Sequence, residues 1–125
     1  MTPGRIHRQW FIVWIVDLAL VTVVLLAPGP VIARAAPPAS DQAGHLLAYC
    51  TLAVFAMLAF RQTRAALAVA VAMLVHGVVM EFLQAVVAIE RSLEVADMGF
   101  DSVGVLCGMA AGFALRPRLR ATPES

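Results

Sequence analysis

The chain alternates long apolar runs with short polar connections. Four runs stand out, at residues 10–32, 43–60, 65–89 and 96–115. Each is close to the roughly 20 residues that a helix rising ~1.5 Å per residue needs to cross a bilayer. Lipid offers the backbone no hydrogen-bond partners, so apolar runs of this length predict helices, and none alternates as a barrel strand does. We therefore predict an all-α integral membrane protein with a bundle of four transmembrane helices.

The polar connections are short, and they define one domain. Residues 35–42 contain the helix breakers Pro37 and Pro38, residues 61–64 form a tight turn, and residues 90–95 link the last two runs. We predict a single membrane domain over residues 1–116 and a flexible cytoplasmic tail over residues 117–125.

The distribution of arginines predicts the orientation of the bundle. The side that holds both termini carries Arg5, Arg8, Arg61, Arg64, Arg116, Arg118 and Arg120. The opposite side carries only Arg34 and Arg91. Because cytoplasmic segments collect the basic residues of a membrane protein, both termini are predicted to be cytoplasmic.

The first run has a second interpretation. A basic start, an apolar stretch and the triplet Ala33-Arg34-Ala35 are also typical of a secretory signal with its cleavage site. We favour a retained helix, because about 23 residues can span the bilayer and Asp17 interrupts the stretch. Cleavage would leave three helices in the same orientation.

Composition supports the membrane interpretation and does not suggest a nucleic-acid partner. Apolar residues make up 62% of the chain, against about 45–50% in a soluble domain. The net charge is only +1, which gives no basic surface for nucleic acid. Cys50 and Cys107 lie inside apolar runs without metal-binding spacing, and we interpret them as small packing residues.

Polar residues inside the runs share helix faces, because they are three or four positions apart. They are Asp41, His45 and Tyr49 in the second run, Glu81 and Gln84 in the third, and Asp97 and Asp101 in the fourth. The predicted topology brings all of them to the outer half of the membrane, with Arg91 in the loop above. Three separate segments thus send polar groups to one region.

This region is the candidate functional site. Each ionisable side chain near a helix centre costs about 2.5–3.5 kcal/mol on insertion. Four carboxylates with at most two cations cannot all stay ionised in a low dielectric, so some are protonated or a cation joins them. We predict His45, Glu81 and Asp97 as acid, base or ligands. The predicted substrate-binding residues are Asp41, Tyr49, Gln84, Arg91 and Asp101.

Other polar and small residues favour structural roles. Gly104, Gly108 and Gly112 continue the stripe of Asp97 and Asp101, and predict close helix packing within one chain or between copies in a homo-oligomer. His76 does not share a face with Glu81, which favours a neutral histidine bonded to a neighbouring helix. For Asp17 we expect a local partner, Arg64 or Arg116.

The order and spacing of these residues resemble the VanZ-like family. The run DQAGHLLAY from Asp41 to Tyr49 resembles its opening signature, and EFLQAVVAIERSLEVADMGFDSVGVLCG resembles its second half. The matching residues there are Glu81, Gln84, Arg91, Asp97, Asp101, Gly104 and Gly108. The family commonly has asparagine at the position of Asp101. The resemblance implies a multi-pass protein of the bacterial plasma membrane, and the family takes its name from a factor that reduces sensitivity to teicoplanin.

Three hypotheses follow for the site. In the first, an outer-leaflet cell-envelope lipid or glycolipid binds with a lipid-linked or phosphorylated headgroup, and Arg91 anchors the anion. In the second, His45, Glu81, Asp97 and Asp101 bind a divalent cation that stabilises a membrane scaffold without catalysis. The third, a proton or ion path, is disfavoured because the inner half offers little beyond Asp17 and His76.

Overall fold

The computed structural model describes residues 7–35, 40–88 and 90–120. This part of the chain contains five helices: α1 Arg8–Leu25, α2 Gly29–Ala35, α3 Ser40–Ala59, α4 Thr63–Val87 and α5 Val95–Arg120. All but α2 are long and apolar enough to cross a membrane, as predicted. Arg5, the Pro37–Pro38 breaker and residues 121–125 lie outside the described residues.

The first apolar run is not one continuous helix, which corrects the predicted span of 10–32. Helix α1 ends at Leu25 and α2 begins at Gly29. Pro28 causes the break, because proline lacks an N–H and disfavours helical geometry in the residue before it. Its carbonyl oxygen then accepts hydrogen bonds from the N–H groups of Val31 and Ile32 as α2 starts. A Cβ on Gly29 would lie 2.6 Å from the Glu90 carbonyl oxygen, so α2 packs against the α4–α5 connection.

Helix α3 is the centre of the bundle and contacts α1, α4 and α5. Its closest neighbour is α5, which presents a stripe of three glycines. A Cβ on Gly104 or Gly108 would collide with the α3 carbonyl oxygens of Leu46 and Cys50, and one on Gly112 would collide with the Met57 side chain. The predicted packing role of these glycines is therefore confirmed, and it operates within one chain.

The end of the bundle near the chain termini is closed by Arg116 and by aromatic rings. The Arg116 guanidinium donates to the backbone carbonyls of Met57 and Phe60 at the end of α3, where carbonyl groups lack helical partners. This contact fastens the end of α5, which stays helical to Arg120, so the first four residues of the predicted tail, 117–120, are helical. Trp14 and Phe60 pack edge to face nearby, with ring centroids 5.7 Å apart.

Large apolar side chains are exposed on several faces of the bundle. Val23, Val86 and Val95 are 68%, 83% and 73% exposed. A water-soluble protein of this size rarely shows so much apolar surface. The distribution fits helices whose outer faces contact lipid while polar groups turn inward.

Candidate functional site

Four ionisable side chains from three helices meet inside one end of the bundle. His45 lies on the second turn of α3, Glu81 near the end of α4, and Asp97 and Asp101 at the start of α5. Each is at most 2% exposed. We call these four residues the acid–histidine cluster. The predicted convergence of three separate segments is confirmed, because His45 lies within 4 Å of a carboxylate from each of the other three residues.

Asp101 fixes the orientation of the His45 ring. The distance from His45 Nδ1 to Asp101 Oδ1 is 2.8 Å, a normal length for a charge-assisted hydrogen bond. With Asp101 ionised, Nδ1–H donates and the lone pair of a neutral ring lies on Nε2. The Nε2 atom then faces Asp97 Oδ2 at 3.7 Å and Glu81 Oε1 at 3.9 Å.

Several polar atoms of the cluster have no hydrogen-bond partner among the described residues. They are His45 Nε2, Glu81 Oε1, Asp97 Oδ1 and Asp101 Oδ2. The other Glu81 oxygen accepts from the backbone N–H of Glu94 at 3.1 Å. Buried polar groups are almost always paired, so four unpaired polar atoms on neighbouring side chains make this cluster a candidate binding site.

Asp41 and Arg91 lie at the rim of the cluster. Arg91 Nη1 is 3.5 Å from Asp41 Oδ2, and the Asp41 side chain is 42% exposed. This ion pair is longer than a hydrogen bond, and its carboxylate is partly exposed while the Arg91 side chain is only 11% exposed, so the pair is weak. The Arg91 guanidinium can therefore change partners when a stronger anion arrives.

Gln84 and Tyr49, two predicted substrate-binding residues, serve other contacts. The Gln84 side-chain amide donates to the Leu25 carbonyl oxygen at 2.7 Å and so caps the end of α1. The Tyr49 hydroxyl is 2.9 Å from His76 Nδ1. Both side chains are fully enclosed. The structure therefore indicates that they hold helices together, where we predicted contact with a substrate.

His76 links three helices through a chain of hydrogen bonds. The Thr22 hydroxyl donates to the Leu18 carbonyl oxygen at 2.7 Å, so its oxygen accepts from His76 Nε2–H at 3.1 Å. Nδ1 is then the acceptor for the Tyr49 hydroxyl. One neutral tautomer satisfies every partner. The predicted hydrogen bonding of His76 to neighbouring helices is confirmed.

A mostly apolar groove adjoins the cluster between α1, α2 and α3. It encloses about 450 Å³ and is open on one side. Arg91, Asp41 and His45 lie at one end, and Leu20, Val24 and Leu47 are among the apolar residues along its walls. The volume lies in the range of ligand-binding cavities, about 300–1,000 Å³.

Asp17 lies on the wall of this groove, and its partner differs from our expectation. The Thr51 hydroxyl of α3 donates to Asp17 Oδ2 at 2.9 Å, so the partner is neutral where we expected Arg64 or Arg116. Arg116 instead donates to the end of α3 and to the Thr63 hydroxyl. Asp17 therefore provides a polar position within an otherwise apolar groove.

Gly77 is a residue of the site that sequence reasoning missed. A Cβ at this position would lie 2.7 Å from Asp101 Oδ2 and 3.3 Å from Asp101 Cγ. The missing side chain makes the room that Asp101 occupies. The sequence could not identify Gly77, because its role depends on contact with Asp101 on another helix. A single glycine in an apolar helix has no spacing pattern that predicts such a contact.

Gly77→Ala is expected to displace Asp101 and weaken its hydrogen bond to His45. The variant should lower the free energy of unfolding by about 1–2 kcal/mol, a typical cost of overpacking. Equilibrium unfolding in mixed micelles measures this value. Gly44→Ala is the matched control, because a Cβ there meets nothing within 4 Å. Equal stability of the two variants would show that Gly77 does not position Asp101.

The arrangement is chemically versatile. A neutral imidazole flanked by carboxylates can accept and return a proton, and the same atoms can ligate a metal ion. Arg91 at the rim supplies a fixed positive charge. These groups adjoin an apolar groove, so the site suits an amphiphilic ligand.

No protein-family model, curated protein or solved structure matches this chain. The VanZ-like resemblance therefore stays a prediction.

Proposed function

We propose that this chain is a multi-pass membrane protein that binds an anionic lipid or glycolipid from the outer leaflet. It would be a VanZ-like protein of the bacterial plasma membrane, with both termini in the cytoplasm. The observation that carries the proposal is the groove, whose lining joins the weakly paired Arg91 and His45 of the acid–histidine cluster to apolar walls. A lipid has the same division between a charged headgroup and apolar chains.

Charge supports an anionic headgroup at the rim. Arg91 is only weakly held by Asp41, and a guanidinium binds phosphate or carboxylate oxygens in a bidentate manner. The headgroup would then lie beside His45, whose imidazole can exchange a proton with it. The apolar walls of the groove suit an acyl or isoprenoid chain.

The orientation has support that is independent of the site. The predicted topology puts seven arginines on the side of the termini and two on the opposite side, which favours an extracytoplasmic cluster. The link to reduced teicoplanin sensitivity belongs to the same proposal. Expression of the protein in a susceptible host should raise the inhibitory concentration of teicoplanin. Expression of the Arg91→Gln variant should not.

Lipid retention tests the binding step directly. Native mass spectrometry of the chain extracted with its own lipids should detect one retained anionic lipid. Arg91→Gln should lower its affinity about tenfold or more, because hydrogen bonds to a charged group contribute about 1.5–3 kcal/mol. Arg34→Gln, which removes the other arginine on that side, should leave retention unchanged.

A second pair of variants tests the groove. Leu20 and Val23 lie on the same helix and are both well exposed, but only Leu20 lines the groove. Leu20→Trp should displace the lipid and Val23→Trp should not. Equal lipid retention by both variants would show that the lipid does not bind in the groove.

A membrane scaffold without catalysis is the second candidate function. The support for a scaffold is that the side chains of the cluster come from α3, α4 and α5. Their contacts hold these three helices together. A scaffold requires the cluster for folding but needs no lipid in the groove. Full biological activity of Leu20→Trp in cells would favour it.

A further inference from the structure

Nε2 of His45 faces acceptor atoms without forming a hydrogen bond. The distances to Asp97 Oδ2 and Glu81 Oε1 are 3.7 and 3.9 Å, longer than the ~2.7–3.2 Å of a hydrogen bond. Neither Nε2 nor Asp97 Oδ1 has a partner in the described part of the chain, although both side chains are almost completely buried. An imidazole lone pair directed at carboxylates at this spacing is typical of a metal ligand.

We propose that Asp41, His45 and Asp97 bind a divalent transition-metal ion of the Zn²⁺ or Mn²⁺ class. The ligating atoms of these three residues lie within 4.8 Å of one another. Two ligands about 2.0–2.2 Å from one ion lie roughly 3.3–3.8 Å apart at angles of ~109–120°. The 3.7 Å between His45 Nε2 and Asp97 Oδ2 fits this range. Asp41 and His45 are four residues apart, so one helix turn presents both.

Asp101 takes the supporting role in this site. Metal-bound histidines usually donate their second ring N–H to a carboxylate, which fixes the tautomer and the ring orientation. The 2.8 Å hydrogen bond between His45 Nδ1 and Asp101 Oδ1 is this contact. Asp101, which we predicted as a ligand, therefore acts as a positioning residue. Its pairing with Nδ1 favours the ligand set with Asp41 over the alternative set of His45, Glu81 and Asp101, which also lies within 4.8 Å.

The ligand types select the class of metal. Mg²⁺ and Ca²⁺ prefer sites built only from oxygen, whereas imidazole with carboxylates suits Zn²⁺ and Mn²⁺. Glu81 Oε1 is unpaired and 3.9 Å from His45 Nε2, where it can accept a proton from a metal-bound group. The ion also balances the buried negative charge of the cluster.

The ion connects the cluster to the groove. Coordination would draw Asp41 away from its 3.5 Å contact with Arg91 and free the guanidinium for an anion. Three protein ligands leave a coordination position for an oxygen of the headgroup. This role rests on the lipid function proposed above, whereas the binding of the ion does not.

Metal titration of the full chain tests the proposal. Protein in detergent micelles is stripped with a chelator and titrated with Zn²⁺ alone and with Mn²⁺ alone, and bound metal is measured by elemental mass spectrometry. We expect one ion per chain, retained in a large excess of Mg²⁺. His45→Asn should weaken binding by at least about 100-fold, because the asparagine amide can replace Nδ1 toward Asp101 but leaves no Nε2.

Two further variants make the test specific. Asp97→Asn should cause a loss similar to that of His45→Asn, and Asp101→Asn should weaken binding about 10–100-fold. His76→Asn is the matched control and should bind as the wild type does. Absence of stoichiometric Zn²⁺ or Mn²⁺ from the wild-type chain, or wild-type affinity in His45→Asn, would overturn the proposal. Lipid retention measured in the same samples separates the metal site from the lipid function. Bound metal without retained lipid would contradict only the lipid function.

Discussion

His45→Ala should destabilise the protein more than any other substitution in the acid–histidine cluster, by about 3–5 kcal/mol. Removing one member of a buried charged network leaves the others without compensation, and measured costs lie in this range. His45 is the residue that contacts all three carboxylates. Equilibrium unfolding in mixed micelles measures the free energy directly.

Two variants make this result interpretable. Leu47→Ala changes an exposed position on the same helix and should stay close to the wild type. His45→Asn can keep a donor near Asp101, so it should recover part of the loss. A stability of His45→Ala within about 0.5 kcal/mol of the wild type, the usual range for surface substitutions, would mean that the cluster does not hold the helices together.

Gly108→Ala should produce the second largest effect, a loss of about 2–3 kcal/mol. The new Cβ would collide with the Cys50 carbonyl oxygen and lie 2.7 Å from Ala53 Cβ. Because the obstacle includes backbone, α3 and α5 must move apart, and overpacking of this kind lies at the upper end of its usual cost. The loss should appear as a lower free energy of unfolding in the same micelles.

The matched control for Gly108→Ala lies on the same helix. Gly99 has open space where a Cβ would be placed, so Gly99→Ala should be neutral or stabilising by up to about 1 kcal/mol, the helix propensity gained over glycine. If both alanine variants gained stability, the close α3–α5 approach would be contradicted.

The number of long apolar helices and the residues that share each helix face could be predicted from the sequence because they depend on local spacing. The length of each apolar run predicts one transmembrane helix, and four-residue steps place Asp41 with His45 and Asp97 with Asp101. The convergence of these faces followed from topology alone, since α3 and α5 begin, and α4 ends, at the same end of the bundle. The glycine stripe was interpreted correctly for the same reason.

The partner of each polar side chain could not be predicted, because it depends on the rotation of neighbouring helices. Gln84 shares a face with Glu81 but lies about one helical turn further along α4. Its amide therefore reaches the end of α1 and not the cluster. Tyr49 lies on the stripe of His45 but reaches His76. The length of the first apolar run does not show where its helix ends, because Pro28 interrupts the helix without interrupting the apolar pattern.

Structure determination of the chain in native-lipid nanodiscs tests the central claim most directly. We expect density for His45 Nδ1 hydrogen-bonded to Asp101, with Nε2 facing Glu81 and Asp97. A lipid headgroup should lie at Arg91, with its chain along the Asp17 wall of the groove. The claim would be contradicted if His45, Glu81 and Asp97 pointed to separate surfaces of the bundle, or if the groove were filled by protein side chains in place of lipid.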